Sequence, residues 1–160
     1  MAIRNILKQG EDALRKKCRE VTAFNERLSQ LLDDMKETLV FADGVGLAAP
    51  QVGVLKRVCI VDVGDGLIEL VNPVITERRG EQRELEGCLS CPGKNGYTLR
   101  PMWVKVEAYD RCGKKFTVEG EGLKARAFCH EIDHLDGVLY VDKMVRELFP
   151  EEDGGEEEEK

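Results

Sequence analysis

Residues 130–134 have the types and spacing of a metal site on a helix. The segment reads His130-Glu131-Ile132-Asp133-His134 and contains both histidines of the chain. Helical residues four apart lie one above the other, so both imidazoles can reach one metal ion. Glu131 follows at about 100° around the helix, where its carboxylate can reach a water on that ion. The pattern indicates metal-assisted hydrolysis, but it also occurs in surface helices with two unpaired histidines.

A catalytic metal needs a third protein ligand and an open position, and Cys88 is the candidate ligand. It lies in the segment Glu86-Gly87-Cys88-Leu89-Ser90, and its thiolate would complete a site of one cysteine and two histidines. With Cys91 it also forms a CxxC pair, a spacing found in thioredoxin-type redox pairs and zinc knuckles. Neither fits well, because a Pro-Gly pair follows where a thioredoxin helix would begin, and no second close cysteine pair exists for a knuckle.

A third segment is a run of small residues, Gly44-Val45-Gly46-Leu47-Ala48-Ala49-Pro50-Gln51. Its glycines allow a close approach between the backbone and a ligand. It does not have the features of a phosphate loop, because no Lys-Ser/Thr pair follows and Pro50 would interrupt the helix that holds the anion. Taken alone, the segment predicts a tight turn.

Three helices are expected around these segments. Apolar residues at helical spacing predict an amphipathic helix of about 18 residues that begins near Phe24, is capped by Thr22 or Asn25, and ends at Asp43-Gly44. A second helix is predicted over residues 123–135. A short last helix is predicted over residues 141–148 and stopped by Pro150.

The stretch between the two long helices predicts strands. Alternating or continuous apolar runs cover residues 58–63, 68–71, 103–109 and 115–118. The glycine-containing spacers at 64–66 and 111–113 are too short for a crossover helix, so the pairing should be antiparallel. This order of elements predicts an α+β domain with its helices against one side of a mixed or antiparallel sheet.

Charge and composition restrict the classes of partner. The chain has 24 basic and 31 acidic residues, a net charge of −7, and 42% hydrophobic positions. The last ten residues carry −6 of this charge, so the first 150 carry only −1. A nearly neutral body opposes charge-driven binding of nucleic acid or anionic membrane. We expect residues 1–150 to form a single domain and residues 151–160 to be a disordered acidic tail.

No apolar run is long enough to span a bilayer, and residues 1–11 lack the apolar core of a signal peptide. The sequence therefore predicts a soluble, cytoplasmic protein. In that compartment cysteines are thiols or metal ligands rather than disulfides. The six cysteines are Cys18, Cys59, Cys88, Cys91, Cys112 and Cys129.

Together the three segments 44–51, 86–90 and 130–137, in this order and at these separations, resemble the three signature motifs of the bacterial-type peptide deformylases. The resemblance covers nearly the whole chain through Tyr140. It implies the deformylase α+β fold, with sheets packed around a central helix that bears the HExxH motif. It further implies a metal held by Cys88, His130 and His134, and a single catalytic domain that removes the N-formyl group from the initiator methionine of nascent polypeptides and releases formate.

The resemblance also implies roles for the other site residues. Glu131 would take a proton from a water on the metal, leaving a hydroxide to attack the formyl carbon, and would then give the proton to the departing amine. The Gln51 amide and the Leu89 backbone N–H would bind the developing oxyanion. The backbone of Gly46 would hydrogen-bond the substrate near its formyl group. Val45 and the apolar side of the second helix would help to line a methionine pocket.

The ligand types alone favour zinc, whereas the resemblance implies Fe2+, with Zn2+, Ni2+ or Co2+ able to occupy the same ligands. The implied partners are N-formylmethionyl peptides of nascent chains, with a transient ribosome contact that the negative charge would weaken. No membrane partner and no specific nucleic acid are expected, and a monomer is the default.

Two cysteines depart from the deformylase pattern. Cys91 stands where an aliphatic residue is common, and Cys129 stands where Gln is common. Both are expected to be small packed side chains, although Cys91 could also bind metal beside Cys88 or form a disulfide with it. Two other functions stay open: an HExxH metallopeptidase with a downstream Glu ligand, and a closed structural metal site with Cys91 as its fourth ligand.

Overall fold

The computed structural model describes residues 2–147, and within them it has the predicted α+β architecture. None of the helices in this part of the chain combines the length and the apolar composition of a membrane span. Short 3-10 helices cover Asp12–Arg15, Ala49–Val52 and Tyr140–Asp142. The main elements are α1 (Glu26–Ala42), β1 (Gly46–Ala48), β2 (Val58–Val61), β3 (Ile68–Arg79), β4 (Gln82–Glu86), β5 (Gly96–Arg100), β6 (Trp103–Tyr109), β7 (Lys115–Glu121), α2 (Leu123–His134) and β8 (Met144–Glu147).

The strands form two antiparallel sheets. The larger has the order β1-β2-β3-β6-β7 and the smaller the order β4-β5-β8. The two antiparallel hairpins predicted from the spacers at 64–66 and 111–113 are confirmed as β2–β3 and β6–β7.

The two helices pack on opposite faces of the larger sheet. In β2, Val58 and Ile60 join the cluster that contains the apolar face of α1, whereas Cys59 and Val61 join the cluster that contains α2. All four side chains are fully buried. The prediction that the helices share one side is therefore wrong, because alternate residues of a strand point to opposite faces and this strand is apolar on both.

The first helix begins and ends close to the predicted residues. The Asn25 side chain accepts a hydrogen bond from the backbone N–H of Leu28 at 3.2 Å, so Asn25, and not Thr22, is the cap. Asp43 ends the helix in the left-handed conformation, with φ of 56°. The chain therefore leaves α1 directly into the small-residue segment.

The middle of that segment, Gly46–Ala48, is a strand and its end lies in the 3-10 helix Ala49–Val52, so the prediction of a single tight turn is wrong. Gly46–Ala48 pairs with β2 in antiparallel register, and the Asp62 N–H donates to the Val45 carbonyl at 2.8 Å. Pairing with β2 satisfies backbone groups that a turn would leave to solvent. As an edge strand, β1 has one side paired and the other side free to meet the second helix.

The second helix is central because it contacts β1, β2 and β7 of the larger sheet and β5 of the smaller one. Its last turn carries residues 130–134. The HExxH motif is thus held between the two sheets, at the end of a helix packed on both.

The short helix predicted over 141–148 is wrong within the described residues. A 3-10 turn at Tyr140–Asp142 leads into β8, which pairs with β5. Without β8, β5 would be an edge strand with unpaired backbone groups, so this pairing satisfies both segments. Strands β4 and β5 were not predicted. Leu148 and the acidic tail predicted at 151–160 lie outside the described residues.

Candidate metal centre

Three side chains predicted as metal ligands meet at one point. Cys88 directly follows the glycine after β4, and His130 and His134 lie one turn apart on α2. Their ligand atoms all lie within 4.8 Å of one another, and Cys88 Sγ is 3.4 Å from His134 Nε2. His134 is fully buried, and Cys88 is half-buried at the wall of a cleft. One thiolate and two imidazoles in this arrangement could hold a transition-metal ion with a position left for water.

No other cluster of this kind exists among residues 2–147. Of the Cys, His, Asp and Glu side chains described there, only Cys88, His130 and His134 form such a group. Within the described part of the chain, neither Cys91 nor an acidic residue between α2 and residue 147 belongs to it. The closed four-ligand site and the downstream Glu ligand therefore gain no support from the geometry.

A carboxylate behind His130 fixes the orientation of its ring. His130 Nδ1 is hydrogen-bonded to Glu86 Oε2. Burial alone would raise the pKa of Glu86, but the hydrogen bonds from His130 and Arg100 hold it far below its ordinary value. An ionised Glu86 accepts only, so the proton lies on Nδ1 and the Nε2 lone pair faces the ligand cluster.

Arg100 joins this carboxylate to α2. Its Nε and Nη2 atoms donate to the two oxygens of Glu86 at 3.1 and 2.8 Å, and Nη1 donates to Asp133 at 2.7 Å. Thr98 donates to Glu86 at 2.7 Å, and Lys143 lies 3.2 Å from Asp133. The buried Arg100 guanidinium thus connects β4, β5 and α2. Sequence reasoning missed this network, because nothing in the sequence shows that Arg100 is buried or that it faces Glu86.

Glu131 is buried beside the cluster with one oxygen unpaired. Its Oε1 has no hydrogen-bond partner among the described groups, and its Oε2 lies 4.0 Å from His130 Nε2. Burial, aided by the charge of Glu86, raises the pKa of Glu131 to about 7. A carboxylate with that pKa can both accept and return a proton near neutral pH.

Strand β1 passes directly against this carboxylate. A Cβ on Gly46 would stand 2.5 Å from Glu131 Oε2 and 2.8 Å from its Cγ, so only glycine fits here. Because Val45 directs its carbonyl to β2, strand alternation directs the N–H and C=O of Gly46 to the opposite side, toward the cleft.

The Gln51 side chain places its amide nitrogen between Ser90 and Cys88. Gln51 Oε1 accepts from the Ala48 backbone N–H at 2.9 Å, which fixes the orientation of the amide. Nε2 then lies 3.1 Å from Ser90 Oγ and 3.7 Å from Cys88 Sγ. A hydrogen-bond donor therefore stands next to the thiolate position.

A turn at residues 88–91 places a second donor. The Cys91 N–H donates to the Cys88 carbonyl at 2.9 Å. Leu89 is the first central residue of this turn, and its own N–H takes no part in the turn hydrogen bond. The Leu89 side chain packs against the backbone at Gly44.

A cleft of about 450 Å³ opens over these groups, within the size range of small-ligand sites. Val45, Leu89, Leu123 and Ala127 contribute apolar walls. Of the eight predicted site residues, the seven that line the cleft are Val45, Gly46, Gln51, Cys88, Leu89, His130 and Glu131, and the eighth, His134, lies behind Cys88.

A buried carboxylate beside a cluster of metal-binding side chains suits hydrolysis by an activated water, so fold and site define a metal-dependent hydrolase. Comparison with known proteins narrows this class. The sequence model described as polypeptide deformylase matches residues 3–148, and the chain belongs to that family. The predicted family resemblance is confirmed.

Individual relatives agree over most of the chain. The chain is 58% identical over 153 residues to the peptide deformylase of Acetivibrio thermocellus, covering 96% of this chain and 89% of that protein. A peptide deformylase structure from Legionella pneumophila is 44% identical with a TM-score of 0.86, covering 92% of this chain and 87% of its own. A peptide deformylase structure from Synechococcus elongatus, in complex with actinonin, is 37% identical with a TM-score of 0.85. The match covers 88% of this chain and 78% of that one.

Proposed function

We propose that the protein removes the N-formyl group from the initiator methionine of nascent polypeptides, releasing formate, and that residues 1–150 form its single catalytic domain. The observation that carries the proposal is the position of Glu131, buried within 4.0 Å of His130 and beside the cluster of Cys88, His130 and His134. Membership of the polypeptide deformylase family supports the choice of substrate.

In this proposal Cys88, His130 and His134 hold the metal. The donor set fits such an ion, because one thiolate and two imidazoles suit ferrous iron, zinc, nickel and cobalt. We propose Fe2+ as the metal, with Zn2+, Ni2+ or Co2+ able to replace it. A metal in this position supplies Lewis acidity toward a water molecule and the formyl oxygen.

Glu131 moves the proton. Its carboxylate accepts a proton from the attacking water and gives it to the amine that leaves. Without a metal, burial raises the pKa of Glu131 to about 7. A bound cation would lower this pKa and favour the ionised form that accepts the first proton.

Gln51 and Leu89 stabilise the charge that develops on the formyl oxygen. The Gln51 amide is held by hydrogen bonds to Ala48 and Ser90, and its nitrogen lies 3.7 Å from Cys88 Sγ. The Leu89 N–H is free of the turn hydrogen bond. Such donors act strongly because they need no reorganisation as the oxyanion forms.

The substrate is held by the free edge of β1 and the apolar walls of the cleft. The backbone of Gly46 hydrogen-bonds the peptide near its formyl group, and the methionine side chain lies against Val45, Leu123 and Ala127. An unbranched thioether side chain suits an apolar pocket of irregular shape.

The test is formate release from a formyl-Met tripeptide by anaerobically purified, ferrous-loaded protein. Glu131→Gln, shown to retain its metal, is the matched control and should release little formate. Actinonin, which the Synechococcus elongatus deformylase binds, should compete with the tripeptide. Absence of formate from the metal-loaded wild type would contradict the proposal. Cleavage of unformylated peptides instead would favour a peptidase. Loss of metal from Cys91→Ser would favour a closed structural site.

We also propose that the protein works as a monomer in the cytoplasm on chains that leave the ribosome. Its net charge of −7 makes contact with ribosomal RNA transient, because like charges oppose docking. Sedimentation of the protein alone, and with ribosomes, tests both statements.

A further inference from the structure

Cys91 places a second thiol beside Cys88, and the proposed mechanism does not use it. Its side chain is 2% exposed and packs with Leu14, Leu139 and Tyr140. Cys88 packs against the same cluster. Both cysteines contribute to the wall of the cleft.

The backbone already holds the two residues at the spacing of a disulfide. The turn hydrogen bond from Cys91 N to Cys88 O is 2.9 Å long. A turn of this kind keeps its outer Cα atoms less than about 7 Å apart, and disulfides join Cα atoms about 4.4–6.8 Å apart. An exposed loop, residues 92–95, follows Cys91, so rotation of the two side chains need not disturb β4 or β5.

We propose that Cys88 and Cys91 form a reversible dithiol–disulfide pair, oxidised by hydrogen peroxide, that releases the metal when the bridge forms and restores the site when it is reduced. The inference rests on the proposed function in one respect, namely that Cys88 is a metal ligand. Cys88 reacts first, because it is the half-buried thiol at the cleft, whereas Cys91 is almost fully buried.

The oxidation is balanced in two steps. The Cys88 thiolate attacks one peroxide oxygen, an S–O bond forms, the O–O bond breaks, and the leaving hydroxide takes a proton from solvent to become water. The Cys91 sulfur then attacks the Cys88 sulfur, the S–S bond forms, the S–O bond breaks, and the second hydroxide leaves as water with the Cys91 proton. The Cys88 thiolate and the Cys91 thiol together lose two electrons and one proton, solvent supplies a second proton, and one peroxide becomes two waters.

The bridge has two consequences for the site. A disulfide sulfur carries no charge to bind metal, so only two histidines remain, fewer than the three protein ligands usual in catalytic sites. The bridge also ends the oxidation of Cys88 at a reversible stage, before the sulfinic acid forms. The pair would therefore replace the irreversible oxidation of Cys88 by a reversible loss of the metal.

The experiment treats full-length, zinc-loaded protein with hydrogen peroxide, because zinc itself takes no part in redox reactions. Trypsin releases residues 84–94 as one peptide with Cys88 and Cys91 as its only cysteines. We expect this peptide to lose two hydrogens in mass, the protein to lose most of its zinc in parallel, and dithiothreitol followed by zinc to restore both. Cys112→Ser, at an exposed turn, should behave as wild type.

Cys91→Val is the decisive variant, with Cys91→Ser as a second choice if the valine variant does not fold. When reduced it should bind zinc and release formate as wild type does, but peroxide should add oxygen atoms to Cys88 that dithiothreitol does not remove. Oxygen added to Cys88 in the wild type, with Cys91 still open to alkylation, would overturn the proposal, as would a disulfide with zinc fully retained. Failure of the proposed function would appear separately, as absence of formate release from reduced, metal-loaded protein.

Discussion

A methyl group on Gly46 would stand 2.5 Å from Oε2 of Glu131, and within 2.9 Å of its Cγ and Cδ as well. The clash therefore involves most of the carboxylate side chain and not only its far end. Glu131 has no space to retreat without leaving its place beside His130, because it is buried on α2. The glycine of β1 thus determines where the proposed proton carrier stands.

Gly46→Ala should lower kcat by about 100-fold, since a displacement of about 1 Å at a reacting group can cost that much. Metal content should stay at the wild-type level, because the three atoms nearest to the new methyl group all belong to Glu131. Steady-state formate release with metal analysis of the same sample checks this. Gly44→Ala is the control, as its Cβ would meet the movable end of Leu89 at 2.9 Å, so its kcat should fall far less. Equal losses of kcat in Gly46→Ala and Gly44→Ala would show that the clash with Glu131 is not the cause.

Glu131→Gln should abolish turnover and stabilise the metal-free protein at pH 8. In the wild type, the folded-state pKa of the Glu131 carboxyl, about 7, exceeds the usual value near 4.3. The folded wild type therefore binds more protons than the unfolded chain between these pH values. The free energy of unfolding therefore falls as pH rises from about 4.3 through about 7. Removing the charge of Glu131 should raise the free energy of unfolding of the metal-free protein by about 1–3 kcal/mol at pH 8.

Urea unfolding of the metal-free wild type and of Glu131→Gln, at pH 5 and at pH 8, measures this effect. The variant should gain stability at pH 8 and little at pH 5, where the wild-type carboxyl is already protonated. A gain of the same size at both pH values would show that ionisation is not the cause.

Glu86→Gln should weaken metal binding by about 10–100-fold, the usual cost of losing the carboxylate behind a ligating histidine. The amide can still accept from His130 but carries no charge, and it leaves Arg100 buried with one partner fewer. Competition with a chromogenic chelator measures the affinity. Glu84→Gln, at an exposed position of the same strand, is the matched control and should bind metal as wild type does. Unchanged affinity in Glu86→Gln would remove the role given to this network.

The parts of the site that follow from local spacing could be predicted, and those that depend on strand register could not. His130 and His134 share a face because any helix places residues four apart on the same side. The three motifs taken together predicted Cys88 as the third ligand. Arg100, in contrast, reaches Glu86 only because β4 and β5 pair as they do, and nothing in either segment specifies that pairing. The position of Gly46 against Glu131 likewise depends on a strand that the sequence suggested was a turn.

The elements of the fold also divide into those that could be predicted from the sequence and those that could not. Strands joined by short turns, such as β2–β3 and β6–β7, were predictable because the chain between them allows only one kind of connection. The strand at residues 144–147 was not, because its short segment takes its conformation from the open edge of β5. The apolar run of β2 did contain the signal that both its faces are covered, and that signal was missed.

Gln51→Glu should lower kcat/KM by about 10²–10³-fold while the protein keeps its metal. A glutamate can still accept from the Ala48 N–H, so the local backbone is retained, but it replaces the amide donor beside Cys88 with a negative charge. Repulsion of the developing oxyanion adds to the loss of the hydrogen bond. Formate release by the metal-loaded variant measures the effect. Ser90→Ala removes the neighbouring acceptor of the same amide and leaves the donor in place, so its rate should stay within about tenfold of wild type. A Gln51→Glu enzyme with the wild-type rate would show that the oxyanion is stabilised elsewhere.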